Sequence, residues 1–278
     1  MIFLLIGIAC SAMVSIFMRL SAGRSKNNFT LLAFNYLTCS IVACFYTAPA
    51  GLLPQTPDFP AALGMGIIHG ILYLAALMLF QRSVQKNGVV LSSVFMKLGL
   101  LVPLVLSIFL FREIPTLVQC LGFCIAIVSI ILINDKVSAT AGVSFGGLVI
   151  LLLCSGGADA MTKIFETLGP KGLSPQFLLY TFVTACLLAV ALVLKGKQGI
   201  CGYDVLFGIL VGIPNFFSTK FLLRALDALP GVIAYPTFSV GTLLVVTMTG
   251  VIAFRERLSK KQWIAVAVIL AALTLLNI

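Results

Sequence analysis

Long uncharged runs of apolar residues recur along the chain, and short stretches that contain glycine, proline or charged residues separate them. A helix needs about 20 apolar residues to cross the hydrocarbon core of a bilayer. The pattern therefore predicts an all-α membrane protein with ten transmembrane helices. The predicted ranges are 2–19, 29–49, 60–80, 88–110, 116–134, 145–165, 173–194, 203–224, 231–253 and 260–277.

The composition also indicates a membrane protein. Hydrophobic residues make up 61% of the 278 residues and charged residues only 9%, whereas soluble domains carry about 25% charged residues. A water-soluble fold could not cover its surface with so few charges. The first apolar run has no basic leader and no small-residue cleavage site after it, so we expect it to remain as the first span.

One stretch of the chain occurs twice. Residues 88–119 align without a gap with residues 231–262, which lie 143 positions later, and ten of the 32 aligned pairs are identical. Apolar composition alone would give roughly three identities. The polar matches are the stronger evidence of a repeat. An apolar composition gives no reason for polar residues to occupy the same aligned positions. These matches include the triplets Phe111–Glu113 and Phe254–Glu256 and the glutamines Gln119 and Gln262.

The repeat extends to the rest of the chain. Further pairs, each 144 positions apart, are Cys10 with Cys154, Ser11 with Ser155 and Arg19 with Lys163. The two halves, residues 1–136 and 145–278, then hold five predicted helices each. Because five is odd, the second half must enter the membrane from the opposite side. Such inverted repeats are typical of secondary transporters, whose substrate site lies near the bilayer midplane between the repeats.

The net charge of +10 is better explained by topology than by nucleic-acid binding, because most basic residues fall in short loops. Twelve lie on the face that carries the loops after predicted helices 1, 3, 5, 7 and 9, and four lie on the other face. The positive-inside rule places the twelve-residue face in the cytoplasm, so both termini would be outside.

Ionisable residues inside a span are costly, so each is a candidate site residue. Lys97 lies near the midplane of the fourth predicted helix, and its counterpart in the second half is Val240. The alternatives for Lys97 are a substrate anion and a lysine paired to a carboxylate or carbonyls of the bundle. Lys220, inside the eighth helix, is a second candidate, although it could reach the surface beside Arg224.

Asp159 is the carboxylate that lies well inside a predicted span. It could form a local pair with Lys163, one turn further along. It could instead face Lys97 or Lys220, or carry a proton. His69 is the single histidine, and Tyr73 follows it on the same helix face. A buried, hydrogen-bonded histidine is the more frequent outcome, and a proton relay in a cavity is the alternative.

Asn215 and Tyr235 are further polar candidates for substrate contact inside spans, although such groups more often join helices. Glu113 and Glu256 recur in the repeat, but each lies just before a predicted helix. We expect them to cap the fifth and tenth helices, where a carboxylate accepts backbone N–H bonds, and to pair with the adjacent arginine.

Nothing in the sequence indicates an enzyme. Motifs for nucleotide binding, zinc hydrolysis and serine hydrolysis are missing. The eight cysteines lie mostly in apolar runs, without a histidine or carboxylate at ligand spacing. We therefore expect no catalytic residues, no cofactor and no metal.

The repeated Phe–Arg–Glu triplet, followed by a turn and a glutamine, resembles the EamA domain of the drug/metabolite transporter superfamily. Many EamA domains have glycine before the glutamate. The resemblance covers the chain as two tandem copies. It implies a ten-helix transporter with a central cavity between the halves, and termini in the cytoplasm, in contrast to the charge count. Members export amino acids and other metabolites, take up choline or sugars, or exchange nucleotide sugars and organophosphates.

These observations together predict a secondary transporter that moves a small carboxylate-, phosphate- or amino-acid-like metabolite by alternating access. An exporter of cationic or aromatic compounds with Asp159 as its charge site is one alternative, and a membrane scaffold or channel is another. The expected partners are a small substrate, the lipid bilayer, and a coupled proton or counter-substrate, without nucleic acid. The expected location is a bacterial cytoplasmic membrane.

Overall fold

The computed structural model describes residues 2–25, 27–54, 56–110, 116–118, 121–122, 125, 145–196, 200–226, 229, 231–256, 258 and 260–275. In these residues the regular structure is helical. The α-helices are α1 (Ile2–Ser21), α2 (Asn28–Thr47), α3 (Phe59–Asn87), α4 (Val89–Leu98), α5 (Leu101–Leu110), α6 (Phe145–Leu168), α7 (Ser174–Gly196), α8 (Gly202–Leu226), α9 (Gly231–Ile252) and α10 (Lys260–Leu275). Short 3₁₀ turns occupy Ala48–Ala50 and Lys171–Leu173.

The predicted all-α membrane class is confirmed. Within the described residues, α1, α2, α3, α6, α7 and α8 are each long and apolar enough to cross a membrane. Helix occurs in all ten predicted segments, although in segment 116–134 it is described only at residues 117–118, 121–122 and 125. Most of that segment lies outside the described residues, so the complete ten-helix arrangement stays a prediction.

The predicted helix 88–110 is interrupted, and the prediction of one continuous helix was wrong. The break falls at Gly99 and Leu100, between α4 and α5. Pro103 lacks an N–H group, so it cannot bond to the carbonyl of Gly99 as a regular helix requires. The N–H of Val102 bonds to that carbonyl instead, at 2.9 Å, in a tighter turn.

The second half has no such break. The residues that correspond to Gly99 and Pro103 are Thr242 and Val246, and α9 is continuous across them. Gly99 also permits close packing, because a Cβ atom there would lie 2.5 Å from Ser155 Oγ. The backbone of the first half at Gly99 therefore differs from that of the second half at the corresponding Thr242.

The helices pack in matching sets. Helix α2 contacts α7 and α8, and α3 contacts α6 and α7; α1 contacts α8 and α9, and α4 contacts α6 and α9. In the repeat, α1 corresponds to α6, α2 to α7, α3 to α8 and α4 to α9. Replacing each helix in these pairs by its counterpart gives the same set of pairs. Two close helix contacts at glycine are equivalent in the same way. Gly66 and Gly70 of α3 lie against the α7 backbone, and Gly208 and Gly212 of α8 lie against the α2 backbone.

Hydrogen bonds define two ends of the bundle. On the first, here called the Glu256 face, Ser25 after α1 donates to Asp204 in the first turn of α8 at 2.7 Å. On the second, the Tyr180 face, Thr47 at the end of α2 donates to the carbonyl of Pro175 at 3.1 Å. Tyr180 donates there to the carbonyl of Leu52.

Glu256 does cap a helix, but a different one from the helix predicted. Its carboxylate accepts the N–H groups of Val89 at 2.9 Å and Val90 at 3.2 Å, at the start of α4 in the other half. It pairs with Arg19 at 3.0 Å rather than with Arg255. The backbone N–H of Glu256 bonds to Gly250, which folds the chain back over α9 and away from α10.

Gly88 makes room for this contact. Its φ of 81° is unfavourable for residues with a side chain, and an added Cβ would lie 3.0 Å from Glu256 Oε1. Glu113, the counterpart of Glu256, lies outside the described residues.

Candidate functional site: a polar cavity between the halves

A cavity of about 100 Å³ lies in the middle of the bundle. Helices α1, α3, α4, α6, α8 and α9 supply its walls, so both halves contribute. Five of the seven predicted site residues line it: Lys97, His69, Tyr73, Asn215 and Asp159. Most of the other polar lining residues carry hydroxyl groups: Ser11, Ser15, Ser93, Ser155, Ser218, Thr162 and Thr219.

Lys97 reaches the cavity from the last turn of α4. Its ammonium donates to Ser11 Oγ at 3.2 Å and lies 4.6 Å from the centre of the Phe238 ring. Because α4 ends at Leu98, the partial negative charge of the helix C-terminus falls beside this ammonium. The helix break and the aromatic ring thus offset part of the cost of a charge inside the membrane.

Asp159 faces the same cavity from α6. It interacts electrostatically with Lys97, but the structure shows no salt bridge between the two side chains. Lys163, the predicted local partner of Asp159, is not among the lining residues. One positive and one negative group therefore share a small cavity in which neither neutralises the other by direct contact.

His69 is held on both sides of its ring. Nδ1 lies 3.1 Å from Thr181 Oγ1 and Nε2 lies 3.2 Å from Thr162 Oγ1. The ring stacks on Phe177 at 5.1 Å and is 1% exposed. The buried, hydrogen-bonded interpretation and the cavity interpretation both describe this residue, because it is part of the wall while its nitrogens are already paired.

Tyr73 and Asn215 belong to a buried network of hydrogen bonds. Tyr73 donates to Asn215 Oδ1 at 2.9 Å, and its hydroxyl lies 2.9 Å from Thr219 Oγ1. Asn215 Nδ2 donates to Asn35 Oδ1 at 3.2 Å. Tyr36 donates to the carbonyl of Tyr73 at 3.0 Å. These contacts fix the two residues in place, as helix-joining polar groups do.

Lys220 is not brought to the cavity. On α8 the residues Asn215, Ser218, Thr219 and Leu222 face inward, and Lys220 projects from a different side of the helix. Its ammonium lies 3.8 Å from the ring centre of Tyr46. Substrate binding by Lys220 stays a prediction. The side chain of Tyr235 lies outside the described atoms.

Sequence reasoning missed the hydroxyl lining and Phe238. Serine and threonine carry little cost inside a helix, because they bond to the carbonyl one turn earlier, as Thr162 does to Ala158 at 3.1 Å. A usable signal existed nevertheless. Ser11 and Ser155 are a matched pair of the repeat, and both line the cavity.

The described residues contain no group of three or more His, Cys, Asp or Glu side chains arranged to hold a metal ion. The six cysteines that the structure describes are free thiols.

Comparison with known proteins gives three findings. The model of the EamA-like transporter family matches residues 1–135. An uncharacterized protein of Haemophilus influenzae is 25% identical over 282 residues, which cover 97% of this chain and 95% of that protein. A protein crystal structure superposes with a TM-score of 0.61 at 16% identity and covers 98% of this chain and 95% of its own. This structural likeness bears on the fold alone.

Proposed function

We propose that the cavity binds a small zwitterionic metabolite, such as an amino acid, and that alternating access carries it across the membrane. The match of residues 1–135 to the model of the EamA-like transporter family supports a transport function. The chain is an integral membrane protein with several spans. We place it in a bacterial inner membrane, the compartment expected from the sequence.

The observation that carries this proposal is the pair of opposite charges in one cavity. A substrate carboxylate would meet Lys97, and a substrate ammonium would meet Asp159. Such charge-assisted hydrogen bonds are stronger than neutral ones. The hydroxyl groups around them can donate or accept, so they suit a polar side chain on the substrate. The small volume favours a small metabolite.

A plain anion, carboxylate or phosphate, would use Lys97 but would approach Asp159 with like charge. A plain cation, the substrate of the alternative exporter, would face the opposite difficulty at Lys97. The zwitterion is the class that satisfies both groups, since an ionised group left unpaired in a buried site is costly.

Support for alternating access comes from the packing of the helices. The set of helix contacts between the halves is unchanged when the halves are exchanged. Tyr73 and Asn215, which hydrogen-bond at 2.9 Å, lie on predicted helices 3 and 8, which correspond in the repeat. A contact between corresponding helices is what a two-fold axis through the cavity would produce. We infer inverted repeats that exchange their roles during transport.

Binding can be tested by thermal shift in detergent with a panel of amino acids and derivatives that lack one charge. An amino acid should stabilise the protein, and its methyl ester, its N-acetyl form and inorganic phosphate should stabilise it less. Lys97→Met should abolish the stabilisation by the amino acid, and Asp159→Asn should remove the discrimination against the N-acetyl form. Lys220→Met is the matched control. Equal stabilisation by ester and parent compound would contradict the zwitterion proposal.

Transport against a gradient requires coupling to a second flow, and Asp159 is a cavity carboxylate that can carry a proton. We expect an imposed pH gradient to drive substrate accumulation in proteoliposomes. Asp159→Asn should abolish that response while unlabelled substrate still exchanges with labelled substrate. Accumulation that ignores the pH gradient in the unaltered protein would indicate coupling to another ion or to a counter-substrate.

A further inference from the structure

The cavity is closed towards the Glu256 face by a clamp made of three segments. Glu256 joins the end of α9 to the start of α4 through the N–H groups of Val89 and Val90, at 2.9 and 3.2 Å. The same carboxylate holds Arg19 at the end of α1, at 3.0 Å. These three helices also supply cavity walls, so the clamp ties wall-forming helices together beyond the cavity.

A buried amide lies between the cavity and this clamp. Gln81 is 1% exposed, and both its Nε2 and its Oε1 lack a hydrogen-bond partner among the residues that the structure describes. It follows the lining residue Leu77 by one turn of α3, on the same side of the helix and in the direction of the Glu256 face. A buried amide without a protein partner is costly and calls for an explanation.

A second unpaired group lies at the same level. Ser93 lines the cavity and is 1% exposed, and its Oγ has no hydrogen-bond partner in the described part of the chain. It stands one helical turn from Val89, which the clamp binds. The structure therefore has polar side chains without partners on the side of the cavity that the clamp closes. Water or a polar ligand would satisfy them in a state with the clamp open.

We propose that the cavity continues past Gln81 to the Glu256 face when the clamp opens, and that Gln81 then contacts the substrate in transit. The Arg19–Glu256–α4 contact is the gate of this path, and the structure shows it shut. This inference rests on the proposed transport function. It adds a path, a polar contact residue on it and the residues that close it.

The test measures access to position 81 by thiol labelling. The background protein carries alanine at the eight native cysteines, and Gln81→Cys supplies the target. A water-soluble maleimide is added to the protein in detergent, so no substrate is needed. Labelling should be slow with Glu256 and Arg19 present. Because removal of either partner shifts the population towards an open state, Glu256→Ala and Arg19→Gln should each raise the rate roughly tenfold.

Two controls separate gating from general loosening. Val211→Cys probes a fully buried position of α8 that the clamp does not touch. Asp58→Ala removes an exposed carboxylate that makes no capping hydrogen bond. The gate is supported if only position 81 responds, and only to the clamp variants. An unchanged rate at position 81, or an equal rise at position 211, overturns it.

Arg19→Gln keeps the test informative if Glu256→Ala does not fold, because it leaves the cap on α4 in place. The experiment is also independent of substrate class. A failed labelling test would leave the thermal shifts unaffected, and a failed zwitterion test would leave the labelling result unaffected.

Discussion

At the scale of single residues, the position of Lys97 is the feature most open to test. An ammonium in hydrocarbon costs at least about 2.5–3.5 kcal/mol on the insertion scale, and in this structure Ser11, Phe238 and the end of α4 offset only part of that cost. We expect Lys97→Met to match or exceed the melting temperature of the unaltered protein while it abolishes substrate binding.

Lys220→Met is the matched variant for this prediction, because Lys220 lies against Tyr46 outside the cavity lining. It should leave binding unchanged. Normal binding by Lys97→Met, measured by the same thermal shift, would contradict an anion-binding role for Lys97 and favour the cationic-exporter alternative.

His69 supports a second prediction at this scale. Thr181 and Thr162 each place a hydroxyl against one ring nitrogen. Thr181→Val keeps the shape of the side chain but leaves Nδ1 unpaired in a dry site, which should lower the free energy of unfolding by about 1–3 kcal/mol. Thr181→Ser retains the hydroxyl and should cost less. Equal melting temperatures for the valine and serine variants would show that the Nδ1 contact does not stabilise the fold.

Among the elements, the break between α4 and α5 determines how the site is built. A Cβ at Gly99 would lie 2.5 Å from Ser155 Oγ and 2.7 Å from the backbone nitrogen of Gly156. Gly99→Ala should therefore force α4 away from α6, lower the melting temperature and weaken substrate binding together, because Lys97 lies two residues before the break.

Gly157→Ala is the comparison for Gly99→Ala. The nearest atom to an added Cβ there lies 3.6 Å away, at an ordinary contact distance, and alanine is the better helix former. That variant should be neutral or slightly stabilising. If Gly99→Ala melts at the same temperature as Gly157→Ala, the close approach of α4 and α6 is not required.

For the whole molecule, the inverted repeats proposed above predict which membrane face each repeated glutamate occupies. Glu113 corresponds to Glu256, and Arg19 corresponds to Lys163. We expect Glu113 to lie on the Tyr180 face and to cap the start of α9. Cysteines placed at positions 113 and 256 should therefore react with an impermeant maleimide from opposite sides of the membrane. Reaction of both from one side would contradict inverted repeats.

Glu113→Gln and Glu256→Gln should each lower the free energy of unfolding by an amount on the order of 1 kcal/mol, because each replaces a charged cap by a neutral one. Chemical unfolding in detergent measures the loss. Asp58→Asn, at an exposed residue without a capping bond, should lose much less. A glutamine variant with unchanged stability and no transport would assign a direct substrate role to that glutamate.

Much of the site could be predicted from the sequence because polar groups inside spans carry a cost. Lys97, Asp159 and His69 stand out in apolar helices, and all three line one cavity. The repeat identified Glu256 as a cap but not its partner, since contacts across 167 positions depend on how the halves pack. Lys220 is not among the residues that line this cavity, because periodicity alone does not show which side of a helix faces the cavity.

The hydroxyl lining could not be predicted in the same way, because serine and threonine satisfy themselves within a helix. The break at Gly99 could have been. Glycine followed four positions later by Pro103 removes one helical hydrogen bond, and the corresponding Thr242 and Val246 carry no such signal.

This one-sided break has a thermodynamic consequence. In a perfectly two-fold transporter the states open to either side are related by exchange of the halves, so the empty protein would spend equal time in both. An interrupted helix in the first half and a continuous α9 in the second remove that degeneracy. For the alternating access proposed above, the two states of the unloaded protein would therefore differ in free energy, and the backbone at Gly99 would favour one side for the first capture of substrate.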